Sequence, residues 1–100
     1  MPYPSVEDTR TAIKGEGLLL ALRGVDLEMQ PISFASLDDQ HFESREDITF
    51  PRSRRELALT EWGVYQGDRL IAYDKLERPI LLRAGERATF PPGAIKMELR

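Results

Sequence analysis

From Leu18 onward the chain is a series of short apolar runs, each closed by a turn-forming residue or cluster, and no long helical periodicity separates them. "LLLALRGVDL" is broken at Gly24, "PISF" and "DITF" carry β-branched and aromatic residues, and "ELALTEWGVY" is the longest run. Gln66-Gly67-Asp68 then leads into "RLIAYDK", which predicts a β-hairpin. "RPILLR", a turn at Ala84-Gly85-Glu86, "RATF", Pro91-Pro92-Gly93 and a closing "AIKMELR" complete the series. Turn signals at roughly eight- to twelve-residue intervals favour a sandwich or barrel. With no amphipathic helix long enough for crossovers, a parallel α/β sheet has nothing to connect its strands. The expected fold is all-β: an antiparallel β-sandwich or jelly-roll-like domain of seven or eight strands.

The closing strand is the most regular. Ile95, Met97 and Leu99 alternate with Lys96, Glu98 and Arg100, the period of two that a half-buried strand requires. A slip of one residue would put three apolar side chains into water, so the register is well specified. Pro91 and Pro92 cannot donate to a ladder, and the Pro-Pro-Gly element therefore reads as a corner through which the chain leaves one sheet for another. At the other end, two prolines among Met1–Pro4 predict an extended arm. Ser5 and Asp8 resemble a capping box that opens a short helix over Val6–Lys14, ended by Gly15 and Gly17. "ASLDDQHFESRE" is polar and acidic, a loop by composition. Residues 1–4 are thus read as an arm and 5–100 as one domain, a size at which a core forms without staples.

Composition narrows the function. The 100 residues hold 14 Lys and Arg against 17 Asp and Glu, net −3, a balance that disfavours a general nucleic-acid binder. No cysteine is present, which excludes disulfides and thiolate metal sites. No apolar run approaches the roughly 18 residues of a membrane span, and the opening residues lack a signal-peptide pattern. His41 is the sole histidine, so one chain can build neither a histidine-based triad nor a two-histidine metal site. Carboxylate pairs such as Glu61 with Asp74 or Asp68 with Glu77 suit glycoside hydrolysis only if they converge, and no nucleophile elbow or phosphate loop accompanies them. The expectation is a non-enzymatic protein with no cofactor and no metal.

Two motifs invite a binding reading. "PRSRRE" sets Arg52, Arg54 and Arg55 between two strands of an otherwise acidic chain. They form either a patch that docks on an acidic partner, for which guanidinium is well shaped, or an exposed loop paired with nearby acids. Tyr3 lies in the arm, which either drapes over a neighbouring subunit or hangs free. Trp62 and Val64 alternate against Leu57, Leu59 and Tyr65, so both faces of that run contain apolar groups; a strand covered on both sides would result, a reason to expect self-association.

The ordered landmarks over residues 47–99 resemble a family of small tailed-bacteriophage virion proteins, members of which are often labelled tail or tail-fibre proteins. They are Ile48-Thr49-Phe50-Pro51, Trp62-Gly63-Val64-Tyr65, Leu70-Ile71-Ala72-Tyr73, the Pro79–Leu82 strand, Ala84-Gly85-Glu86 and Phe90–Ala94. Two departures stand out: the family's loops are rich in Gly, Ser, Thr and Ala where this chain is charged, and its segment between the first strands is longer. The resemblance implies an accessory structural subunit of the virion, a capsid decoration or cement protein, with a tail or fibre component as the alternative. It implies major capsid or tail protein as partner, homo-oligomers, and no direct contact with nucleic acid or membrane. A carbohydrate- or receptor-binding β-module is a different class, and would need Tyr3, Phe42, Tyr65 and Tyr73 to line a groove.

Overall fold

The computed structural model describes residues 12–98, which form nine β-strands. Alternation places them. In β1 (Leu18–Leu22) Leu18, Leu20 and Leu22 are buried while Leu19 and Ala21 are half-buried. β2 (Gln30–Pro31) pairs with one side of β1, and β6 (Leu57–Gln66) with the other. β7 (Arg69–Leu82) completes an antiparallel four-stranded sheet in the order β2-β1-β6-β7. β3 (Phe34–Ser36), β4 (His41–Ser44) and β9 (Lys96–Glu98) make a second sheet, and β5 (Ile48–Thr49) with β8 (Thr89–Phe90) a third. One apolar cluster draws on all three: Leu20, Leu59 and Val64 from the first, Phe42 and Met97 from the second, and Ile48 and Phe90 from the third. Phe50 meets Phe90 edge-to-face at 6.0 Å between ring centres, an aromatic geometry favoured by the ring quadrupoles.

The hairpin joining β6 and β7 forms where the sequence predicts it. Gln66 pairs with Arg69 across a two-residue turn, and Gly67 takes φ 63°, as the first central residue of a type II′ turn must. The corner also behaves as expected. Ala94 N–H donates to Pro91 O at 3.1 Å, and Gly93 has φ 82°, a type II turn with proline and glycine at the two central positions. It carries the chain from β8 in the two-stranded sheet to β9 in the three-stranded one. Ser44 anchors it: its backbone O accepts from Gly93 N–H at 2.8 Å, its N–H donates to Ile95 O at 2.9 Å, and its Oγ accepts from Ile95 N–H at 3.3 Å. Ile95 and Met97 are buried and Lys96 and Glu98 exposed, the faces that alternation assigned; Leu99 and Arg100 lie outside the described residues.

Four expectations are corrected. The polar stretch "ASLDDQHFESRE" is a hairpin of β3 and β4, because Phe42 and Ser44 alternate inward and serine, satisfied by the corner, counts as a core position. "PISF" is divided between β2 and β3 in two different sheets, and "RLIAYDK" and "RPILLR" fuse into one fourteen-residue strand. β6 is not covered on both faces by its apolar residues. Leu57 and Leu59 are buried at odd positions, Trp62 and Val64 at even ones, and all four enter the same core. The change of phase falls at Thr60, where the ladder steps from Leu59↔Ile80 to Glu61↔Lys75 and leaves Leu76–Pro79 opposite Thr60 alone. A bulge re-aims side chains in this way, and it removes the reason that Trp62's strand gave for self-association. Of the expected N-terminal helix only its last residues are described: Ala12 and Ile13 are helical, and Gly15 N–H donates to Ala12 O at 3.0 Å. The arm and Tyr3 lie outside the described residues.

Candidate docking cleft

Arg52, Arg54 and Arg55 leave β5 through Phe50 and Pro51 and enter a segment fixed by the residue between them. Ser53 is 3% exposed in a run that is otherwise open to solvent. Its N–H donates to Glu86 O at 2.8 Å, its carbonyl accepts from Gly85 N–H at 2.8 Å, and its Oγ donates to Arg83 O at 2.8 Å. The turn it grips is closed twice more, by Glu86 N–H to Arg83 O at 3.0 Å and by Arg83 N–H to Glu86 Oε1 at 2.6 Å. Every polar group of Ser53 is therefore satisfied by backbone, so the serine can be buried without an orphaned polar atom. The alternation of buried serine and exposed arginine is what presents the guanidinium groups outward.

The three arginines do not share one role. Arg52 Nη1 donates to Gly85 O at 2.8 Å and so helps hold the turn. Arg54 and Arg55 are exposed, and among the described residues neither has an acidic side chain within 4.0 Å. With Pro51 and Leu57 they form one wall of a cleft of about 530 Å³, opposite Asp26, Leu27 and Glu28. Three arginines against two acids leave this cleft net positive on a chain whose net charge is −3. Its charge is the kind that suits a carboxylate-bearing group, and Leu27, Leu57 and Pro51 line the cleft beside the arginines. The sequence signalled the arginines; it gave no sign that Asp26–Glu28, far earlier in the chain, would line the same cleft.

The other candidates are dispersed. Phe42 is a core residue at 2% exposure, not part of a groove. Tyr73 is partly covered by Arg23, whose guanidinium carbon lies 4.8 Å from the ring centre, a cation–π contact. Arg23's methylenes run over Gly63, where a Cβ would come within 3.3 Å of Arg23 Cδ and 3.1 Å of Leu70 Cδ1. The aromatics named for sugar binding thus do not form one platform among the described residues. In the ladder Glu61 stands opposite Lys75 and Asp74 opposite Trp62. Successive side chains point to opposite faces of a strand, so Glu61 and Asp74 do not converge as a hydrolytic pair would.

His41 belongs to a hydrogen-bonded loop. Asp38 Oδ1 accepts from Gln40 N–H at 2.7 Å and His41 N–H at 2.8 Å, and both carboxylate oxygens lie 2.8 Å from His41 Nδ1. The Gln40 N–H above all, then the His41 ring, holds the Asp38 carboxyl below its ordinary value. Among the described residues no three histidine or acidic side chains gather as a metal site requires. The chain matches no protein-family model, no curated protein and no solved structure.

Proposed function

We propose that this chain is a non-enzymatic accessory structural subunit of a tailed-bacteriophage particle, a capsid decoration or cement protein folded as a β-sandwich or jelly-roll-like domain. The observation that carries the reading is the arginine cleft: among the described residues Arg54 and Arg55 stand without acidic partners, on a segment held by the hydrogen bonds of Ser53. Pre-organised charge of this kind favours docking, since little ordering entropy remains to be lost on contact. Two landmarks of the phage resemblance also meet in space, Ile48-Thr49-Phe50-Pro51 and Phe90–Ala94, joined by the β5–β8 ladder and the Phe50–Phe90 contact. On this reading the partner is a major capsid or tail subunit with an acidic rim, and a stable contact would bury roughly 1,200–2,000 Å².

The test is binding of the purified protein to particles lacking it, with Arg54→Glu/Arg55→Glu beside the wild type. The double variant is expected to lose at least tenfold in affinity while melting like the wild type, and wild-type binding is expected to weaken as salt is raised. Unchanged binding by the variant overturns the role of the cleft. The number of copies per particle places the subunit: hundreds for capsid decoration, a few for a tail or fibre component.

A further inference from the structure

Among the described residues four large apolar side chains are exposed: Met29, Leu37, Tyr73 and Leu81. Met29 follows Glu28, itself a lining residue of the cleft, Tyr73 is capped by Arg23, and Leu81 stands between Ile80 and Leu82 on β7. Leu37 alone is followed by two carboxylates, Asp38 and Asp39, and at 60% exposure it contributes little to its own chain's core. It opens the turn between β3 and β4, which ends at Gln40.

This turn is held from within. Leu37 N–H donates to His41 O at 2.9 Å, and Ser36 Oγ donates to Asp38 O at 2.9 Å. The Asp38 carboxylate is taken up by the N–H groups of Gln40 and His41. These bonds fix the backbone and Asp38, while Leu37, Asp39 and Gln40 are exposed. The turn thus presents an apolar group, a carboxylate and an amide in a shape that needs little further ordering on contact. The arginine cleft offers a counterpart to each: Leu27 and Leu57, Arg54 and Arg55, Asp26 and Glu28. Guanidinium pairs with carboxylate through charge-assisted bonds, and an amide NH2 donates to carboxylates. No residue of the turn lines the cleft of its own chain, so a turn that fills a cleft comes from another copy.

We infer that the β3–β4 turn of one copy, residues 37–40, docks in the arginine cleft of a second, with Asp39 toward Arg54 and Arg55 and Leu37 toward Leu27 and Leu57. The contact joins two different surfaces, so it is heterologous and builds rings or open chains. It rests on the docking reading in that both use the cleft, and it adds a second copy as an occupant that competes with the particle.

Sedimentation equilibrium of the whole chain provides the test, with Leu37→Lys, which leaves the hydrogen bonds of the turn in place, and Arg54→Glu/Arg55→Glu. All three side chains are exposed, so circular dichroism should show the same fold throughout. The wild type is expected to self-associate, and each variant alone to do so at least tenfold more weakly. Mixed together, the two variants are expected to form a one-to-one pair and nothing larger, because one keeps its cleft and the other keeps its turn. A wild type that stays monomeric up to about 0.1 mM, a range in which any contact tighter than millimolar begins to show, overturns the inference. So do variants that self-associate unchanged, or a mixture that stays monomeric. Particle binding separates the two readings. A cleft variant that loses particles but self-associates unchanged sinks this inference alone, and one that keeps particles but loses self-association sinks the docking reading alone.

Discussion

At the scale of single residues, a few side chains hold positions that only their own chemistry explains. Gly93 is one: its backbone has φ 82°, and an added Cβ would sit 3.1 Å from Glu43 Oε2. Both the left-handed backbone and the contact penalise a side chain, so Gly93→Ala is expected to destabilise by about 1–2 kcal/mol in urea unfolding. Asp38 is another. Its carboxyl, ordinarily near 3.8, is lowered by the Gln40 N–H first and the His41 ring second. A carboxyl more acidic in the folded than the unfolded chain contributes stability above its unfolded value, and that contribution is lost as pH falls through the lowered one. Asp38→Asn keeps an acceptor for the two N–H groups but cannot titrate. It should flatten the decline in urea midpoint between about pH 5 and pH 2, and an unchanged decline would show that other carboxylates govern it.

Among elements, β9 and β6 show how far periodicity reaches. β9 was legible because nothing interrupts its alternation, and its faces are those observed, Met97 inward at 6% exposure and Lys96 outward. Met97→Asp is therefore expected to unfold the protein or cost roughly 3 kcal/mol or more, while Lys96→Glu stays within about 0.5 kcal/mol; thermal melts of the two variants decide it. β6 was legible as a strand but not in its faces. Counting by twos from Trp62 puts Leu57 and Leu59 on the wrong side, since the bulge opposite Thr60 reverses the phase and leaves no mark in composition. β4 was missed for a related reason. Its inward positions are Phe42 and a serine whose burial depends on groups 49 to 51 residues further along, and local sequence does not carry that information. The same holds for the cleft: the arginines were visible, while Ser53's partners and the facing Asp26–Glu28 wall exist only once the sheets have assembled.

For the molecule as a whole, the pairing order sets the order of assembly. β6 and β7 are joined by a two-residue turn and can zip from Gly67 outward, whereas β1 must wait for β6, and the outer edge of β4 for β9. Closing long loops before contacts reward them is slow, so folding is expected to begin at the β6–β7 hairpin. On a ribosome this has a practical meaning. β4 emerges with Phe42 and Ser44 uncovered, and their cover at Ile95 is 51 residues away along the chain. Until the Pro91-Pro92-Gly93 corner turns back upon Ser44, the nascent chain carries Phe42 and the polar groups of Ser44 with no roof, and that interval is when a chaperone would find them.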